Sequence, residues 1–137
     1  MKIAMSADDD QLLDHKEVNT VQSLSSTAVI TRIAGIFGLI AVALGAYGFH
    51  VLDDKTIPSE RKVIFQTANQ YHFMHTLALL AAPLTRRPNL VATLLCLGML
   101  VFCGSSYVTA ITGNTHVNVV TPYGGMTLML AWLAMAL

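Results

Sequence analysis

The chain has 137 residues, of which 54% are hydrophobic and 12% charged, with a formal net charge of zero and a mean hydropathy of +0.58. Soluble domains carry about 25% charged residues, so this composition excludes an ordinary soluble domain, and the absence of a basic surplus excludes a nucleic-acid-binding protein. We expect a single integral membrane domain whose partners are the lipid bilayer and other membrane helices, in a homo-oligomer or a larger complex.

The N-terminal segment, residues 1–27, is polar and includes Asp8, Asp9 and Asp10. It lacks the basic start and apolar middle of a signal peptide, and it is not arginine-rich as a mitochondrial transit peptide is. We expect a flexible tail in front of a membrane domain that spans residues 28–137.

Helix 1 is predicted over residues 28–52. Its residues 33–52 carry no charge, and about 20 such residues suffice to cross a bilayer. Small residues recur along it at helical spacing: Gly35, Gly38, Ala41 and Gly45. Because small residues let backbones approach closely in lipid, we expect this face, like Gly124 and Gly125 farther along the chain, to serve helix packing.

Three more helices are predicted, over residues 58–84, 90–112 and 121–137. Pro58 suits a helix start, Pro88 disfavours helical geometry in the residue before it, and Pro122 lies in the first turn of the last helix. The predicted fold is all-α, an up-and-down bundle of four transmembrane helices. Basic residues near the membrane ends weakly favour an N-terminus on the inner side.

Helix 2 is unusual because residues 63–85 carry no charge while residues 66–76 are mostly polar. Polar groups inside a membrane are expensive and usually face protein or water. Counting residues from each loop places these groups at the depth of polar residues in helices 1 and 3. We predict one intramembrane polar cluster, which consists of His50, Gln66, Asn69, Gln70, Tyr71, His72, His75, Ser105, Ser106 and Tyr107. The other half of the bundle is expected to be almost purely apolar.

Four motifs carry a family resemblance: LGAYGFH at residues 44–50, QYHFMHTLAL at 70–79, FCGSSY at 102–107 and TPYGG at 121–125. In this order they resemble the small four-helix membrane family described as domain of unknown function 423, whose animal members are called transmembrane protein 256. The resemblance covers about residues 28–137 and implies four helices and, from the animal members, a mitochondrial inner-membrane location. Tyr47, Phe49 and Thr76 depart from the usual family residues.

Metal or haem binding is an alternative for the histidines, because His72 and His75 share a helical face and His50 is expected at similar depth. Cys96, Met99 and Cys103 at helical spacing would suit copper(I). No acidic ligand lies at membrane depth, and methionine commonly fills packing gaps. We therefore expect no metal or other cofactor, and imidazoles that hydrogen-bond across helices.

An enzyme is not expected, since the chain shows no paired carboxylates and no phosphate-binding loop; Ser105 and His75 could meet, but without an orienting acid. The preferred hypothesis is a structural or accessory subunit, or an assembly partner, of a larger membrane complex. The alternative is a small channel or carrier for a solute, proton or lipid that uses the same polar cluster. Arg86 and Arg87 are predicted to be an interfacial anchor, with anionic headgroup binding as a second reading.

Overall fold

The structure, a computed structural model, describes residues 7–52 and 57–137, with side chains from Gln11 onward. Within these ranges the chain is helical and has no strand. The four long helices are α1 (Ala7–His50), α2 (Ser59–Ala81), α3 (Pro88–Thr112) and α4 (Thr121–Ala136). Short 3-10 turns, Ala82–Leu84 and Thr115–Val119, follow α2 and α3. The predicted all-α fold is confirmed.

Helix α1 differs most from prediction, because it begins at Ala7 rather than near residue 28. Residues 7–27, which we assigned to a tail, contain no glycine or proline to interrupt a helix. Hydropathy did not reveal this continuity, because it indicates whether a segment prefers water or lipid and not whether its backbone is helical. At 44 residues, α1 is about 66 Å long, roughly twice the hydrocarbon thickness of a bilayer. Residues 1–6 lie outside the described residues.

The other helix ends follow local signals. Helix α2 begins after Pro58, whose carbonyl accepts from the backbone N–H groups of Arg61 and Lys62. Helix α3 has Pro88 in its first turn and ends at Gly113, whose φ of 73° is the left-handed conformation that glycine adopts readily. These boundaries lie within a few residues of the predicted ones.

Three segments are long and apolar enough to cross a membrane: Gln11–His50, Pro88–Thr112 and Thr115–Ala136. Helix α2 has 23 residues and therefore a length of about 34 Å, which also suffices. Its polar residues lower its hydropathy, and it lies between α1 and α3, which pack against it. Helix α2 therefore has a neighbouring helix on each of two sides, while its residues Gln66 and Gln70 stay exposed.

Consecutive helices are antiparallel neighbours, as expected for an up-and-down bundle. Gly38 and Gly48 of α1 face Thr76 and Phe65 of α2, so the two helices run in opposite directions. The same reversal relates α3 to α4, because Gly98 faces Leu128 and Phe102 faces Gly124. Helices α1 and α4 occupy the two ends of this sequence of pairs.

The predicted packing residues divide into two groups. Gly38, Ala41 and Gly45 lie against α2, and Gly124 meets the backbone of Phe102. Gly125 lies near the ring of the same phenylalanine. Gly35 is different, since a methyl group added there would meet nothing within 4 Å. Gly48 and Gly98, which we did not single out, make closer approaches than Gly38 does.

The core has an apolar cluster at each end, so apolar packing also occurs in the half of the bundle that was expected to be polar. One cluster joins residues such as Ile30, Leu79 and Leu95 near the end of α2. The other contains Phe65, Ala68 and Cys103 near the start of α2. The hydrogen bonds of Asn69 and His72 lie between them, and further side-chain hydrogen bonds, such as those of Ser105 with Thr121 and Thr109 with Asn118, lie at the second end.

Candidate functional site

A side-chain network connects three helices in the middle of the bundle. Asn69 Nδ2 donates to the carbonyl oxygen of Ala41 at 2.8 Å and to the hydroxyl of Tyr107 at 3.2 Å. The same hydroxyl lies 3.4 Å from His72 Nδ1. We call Asn69, His72 and Tyr107 the polar layer. Their bonds tie α2 to α1 on one side and to α3 on the other.

Aromatic rings enclose the polar layer. Phe37 of α1 meets the His72 ring edge-on at 5.7 Å between centroids, and Phe65 meets the Tyr107 ring at 5.0 Å. His72 is 5% exposed and Tyr107 8% exposed. Edge-to-face pairs of this kind add packing energy beyond the buried area. His72 and Tyr107 therefore form a buried contact between helices, whereas the half-buried Asn69 borders a small cleft of about 170 Å³.

One atom of the layer has no partner. Because the Tyr107 oxygen accepts from Asn69, its own proton is available for His72 Nδ1, and this assignment places the histidine proton on Nε2. His72 Nε2 is buried and has no hydrogen bond in the part of the chain that the structure describes. Such groups are uncommon in folded proteins. Among the described residues, this atom is the only buried side-chain nitrogen or oxygen without a hydrogen bond.

His75 is also buried, at 4% exposure, but both of its ring nitrogens are used. Nδ1 lies 2.7 Å from the carbonyl oxygen of Tyr71, to which it must donate. Nε2 then accepts from the indole N–H of Trp132 on α4, at 3.1 Å. Nδ1 therefore carries the ring proton, and Nε2 is the acceptor. His75 therefore connects α2 to α4.

Ser105 and Ser106 are buried on α3 but do not join the polar layer. The hydroxyl of Ser105 lies 2.6 Å from that of Thr121, at the start of α4. Ser106 donates to the carbonyl of Phe102, four residues earlier in its own helix, at 2.7 Å. The pairing of Ser105 with His75 that the sequence allowed is not formed, since each has another partner.

His50, Gln66 and Gln70 are exposed and lie apart from the polar layer. The buried face of α2 consists of Phe65, Ala68, His72, His75, Thr76, Ala78 and Leu79. At 100° per residue, both glutamines lie on another face of the helix. His50 ends α1 and makes a ring contact with its neighbour Phe49. The prediction grouped these residues because they lie at a similar depth along the helices. In the structure the two glutamines lie on a different face of α2 from the polar layer. Tyr71 is partly exposed and stacks on His75.

Two residues that contact other helices, Thr76 and Arg61, were not part of the predicted polar cluster. Thr76, buried, donates to the carbonyl of His72 at 2.8 Å and lies 3.8 Å from the sulfur of Met99. Arg61 Nε donates to the carbonyl of Ala110 at 2.8 Å, and its guanidinium also bonds the carbonyl of Ile111. Arg61 thus satisfies carbonyls at the C-terminal end of α3. Its position in the first turn of α2 was the available signal in the sequence.

In the described ranges, no three His, Cys, Asp or Glu side chains lie close enough together to hold a metal ion. The alternative that combined His50 with His72 and His75 also fails geometrically, because His50 is exposed and His75 is occupied by Trp132. Cys96 and Cys103 are free thiols on α3.

Arg86 and Arg87 lie together between the 3-10 turn and α3, both exposed. Arg86 donates to the carbonyl oxygen of Leu137 at 3.3 Å. The two arginines, with Leu90, Ala134 and Leu137, line a groove of about 620 Å³.

Comparisons with known proteins agree with the resemblance in the motifs. A family model described as "Protein of unknown function (DUF423)" matches residues 44–125, a range that includes the whole polar layer. The chain is 38% identical over 108 residues to the UPF0382 inner membrane protein YgdD of Escherichia coli K12, covering 74% of this chain and 82% of the relative. It is 32% identical over 112 residues to the UPF0382 membrane protein YwdK of Bacillus subtilis, covering 77% and 90%. No solved structure matches the chain.

Proposed function

The chain belongs to the DUF423 family of membrane proteins. We propose that it is a structural or accessory subunit, or an assembly partner, of a larger membrane complex. The proposal rests on the polar layer. Asn69 and Tyr107 direct their hydrogen bonds to one another, to His72 and to the Ala41 carbonyl, across three helices. Buried polar groups used in this way fix helix register.

The outward surface supports the same role. Large apolar side chains such as Leu39, 71% exposed, and Met129, 65% exposed, point away from the bundle on its two end helices. Gly35 lies on the outer face of α1, and because it has no side chain, another helix could approach the α1 backbone closely there. Helix α1 packs against α2 and the turn after it, so its outer face has no cover from the described chain.

Association through α1 can be tested with one pair of variants. Gly35→Leu adds bulk at the open glycine of α1, and Gly104→Leu adds the same bulk at a glycine of α3 that also has nothing within 4 Å. After extraction in a mild detergent, we expect the wild type and Gly104→Leu to migrate with other membrane proteins at fixed stoichiometry, and Gly35→Leu to lose them. Equal migration of all three as particles of this chain alone would contradict the proposal.

A small carrier or channel is the second candidate, and one observation favours it: the unpartnered Nε2 of buried His72. His72→Asn places an amide near the position of Nδ1 and removes Nε2, whereas Gln66→Asn changes an exposed side chain of the same helix. Proton flux into liposomes that contain the pure protein, followed with an internal pH-sensitive dye, distinguishes the roles. Flux that is lost only in His72→Asn supports the carrier, and absence of flux in the wild type rejects it.

The proposed location follows from the relatives, one of which is named an inner membrane protein of a bacterium. In a cell with mitochondria, we propose the inner mitochondrial membrane. Fractionation with markers for each membrane tests this, and recovery with another organelle would contradict it.

A further inference from the structure

The groove beside the loop between α2 and α3 combines charge with an apolar wall. Its volume of about 620 Å³ is within the range of ligand sites. Arg86 and Arg87 provide the charge, and Leu90, Ala134 and Leu137 provide apolar surface from α3 and α4. The groove therefore lies at the end of the bundle where α2 ends, α3 begins and α4 ends.

Within the described residues, neither guanidinium group forms an ion pair with an Asp or Glu side chain. No Asp or Glu occurs from Arg61 to Leu137. Arg86 uses one N–H for the carbonyl of Leu137, and Arg87 has no side-chain partner within the ranges that the structure describes. The N-terminus of α3, which has no side-chain cap, begins beside Arg87 and adds partial positive charge. The groove is therefore suited to an anion.

The place of the groove decides which anion it fits. It lies at the end of helices that are apolar and long enough to cross the bilayer, where lipid headgroups begin. Guanidinium forks match the oxygens of a phosphate. Leu90 and Leu137, both exposed, continue the groove as apolar surface that a soluble phosphate compound would not use.

We propose that this groove binds the headgroup of an anionic phospholipid, with the phosphate at Arg86 and Arg87 and the first part of an acyl chain against Leu90, Ala134 and Leu137. The inference does not depend on the accessory role, because a carrier would be able to hold the same lipid.

Native mass spectrometry of the full chain, released from detergent, counts bound lipids directly. The probes are phosphatidylglycerol and phosphatidylcholine with identical acyl chains, so that headgroup charge is the only difference. Near a membrane surface each basic residue contributes about fivefold in affinity for anionic lipid. We expect the wild type to prefer phosphatidylglycerol by about tenfold or more, and Arg86→Gln with Arg87→Gln to reduce this preference to about twofold or less.

Arg32→Gln is the matched control, since Arg32 is an exposed arginine of α1 that does not line the groove; it should keep the preference. Replacing both groove arginines by lysine keeps the charge. This variant should bind at least half as much phosphatidylglycerol as the wild type does. The proposal is overturned if the glutamine double variant retains the preference, if Arg32→Gln loses it equally, or if the lysine variant loses it. Inorganic phosphate at millimolar concentration distinguishes a free-anion site, because full displacement of phosphatidylglycerol by it would also overturn the lipid assignment.

Discussion

Asn69 connects three helices through one side-chain amide. Its Nδ2 group reaches the backbone of α1 at Ala41 and the hydroxyl of Tyr107 on α3. Asn69→Leu would remove both bonds and leave the buried hydroxyl with fewer partners. Because interhelical hydrogen bonds in membranes contribute about 0.6–1.7 kcal/mol each, we expect the free energy of unfolding to fall by about 1–3 kcal/mol.

Reversible unfolding in mixed micelles of mild detergent and dodecyl sulfate measures this change. Gln66→Leu, an equivalent exchange one turn away on an exposed face, is the control and should change stability by less than about 0.5 kcal/mol. Equal losses in the two variants would show that the polar layer does not hold the bundle together.

The composition of the polar layer was only partly predictable at this scale. Residue counting correctly placed Asn69, His72 and Tyr107 at one depth. It could not exclude Gln66 and Gln70, because the rotation of α2 about its own axis is set by its neighbours' packing and not by its own polarity. The contact of His75 with Trp132 was also inaccessible, since it depends on how α4 is positioned next to α2.

Glycine positions at the element scale show which helix faces are in close contact. A methyl group at Gly124 would come within 2.4 Å of the backbone nitrogen of Phe102, whereas one at Gly35 would meet nothing. Backbone cannot move aside as a flexible side chain does, so α3 and α4 would have to separate. We expect Gly124→Ala to lower the free energy of unfolding by about 1–3 kcal/mol and Gly35→Ala to leave it unchanged or slightly raised.

The same unfolding titration compares these two variants. They exchange the same atoms in different surroundings, so intrinsic helix propensity affects both alike. Equal stability of Gly124→Ala and the wild type would contradict the close approach of α3 and α4.

The sequence did not predict that α1 is one continuous helix from Ala7 to His50. Helix ends marked by proline or glycine, such as those at Pro58, Pro88 and Gly113, were predicted to within a few residues. No such residue marks a start for α1 near residue 28, and the change from polar to apolar composition there was interpreted as a structural boundary. The helix is instead continuous across this change in composition.

A distance across this point tests the continuous helix. Spin labels at Asn19→Cys and Leu39→Cys, on a background without Cys96 and Cys103, lie 20 residues apart on exposed positions. In a rigid helix they would be separated by about 30 Å with a narrow distribution. Pulsed electron resonance in lipid nanodiscs measures this distance, and a broad distribution would show that the segment before residue 28 moves independently.

The whole molecule is a row of antiparallel helix pairs whose most polar member, α2, lies inside. Apolar clusters lie on both sides of the polar layer, and the outer helices α1 and α4 present large apolar side chains outward. Because lipid chains are as apolar as these side chains, the outer surface alone does not drive association, and close contact with another helix would depend on small residues such as Gly35. The polar layer, which ties α2 to α1 and α3, therefore remains the main support for the accessory role.

The mass and composition of the native particle test that role most directly. The wild-type chain, 14.8 kDa, would be extracted from its own membrane in a mild detergent, separated by size and analysed by quantitative mass spectrometry. The account predicts a particle in which other membrane proteins accompany this chain at a fixed ratio through successive separations. A particle that contains this chain alone, with the mass of a small homo-oligomer, would contradict it.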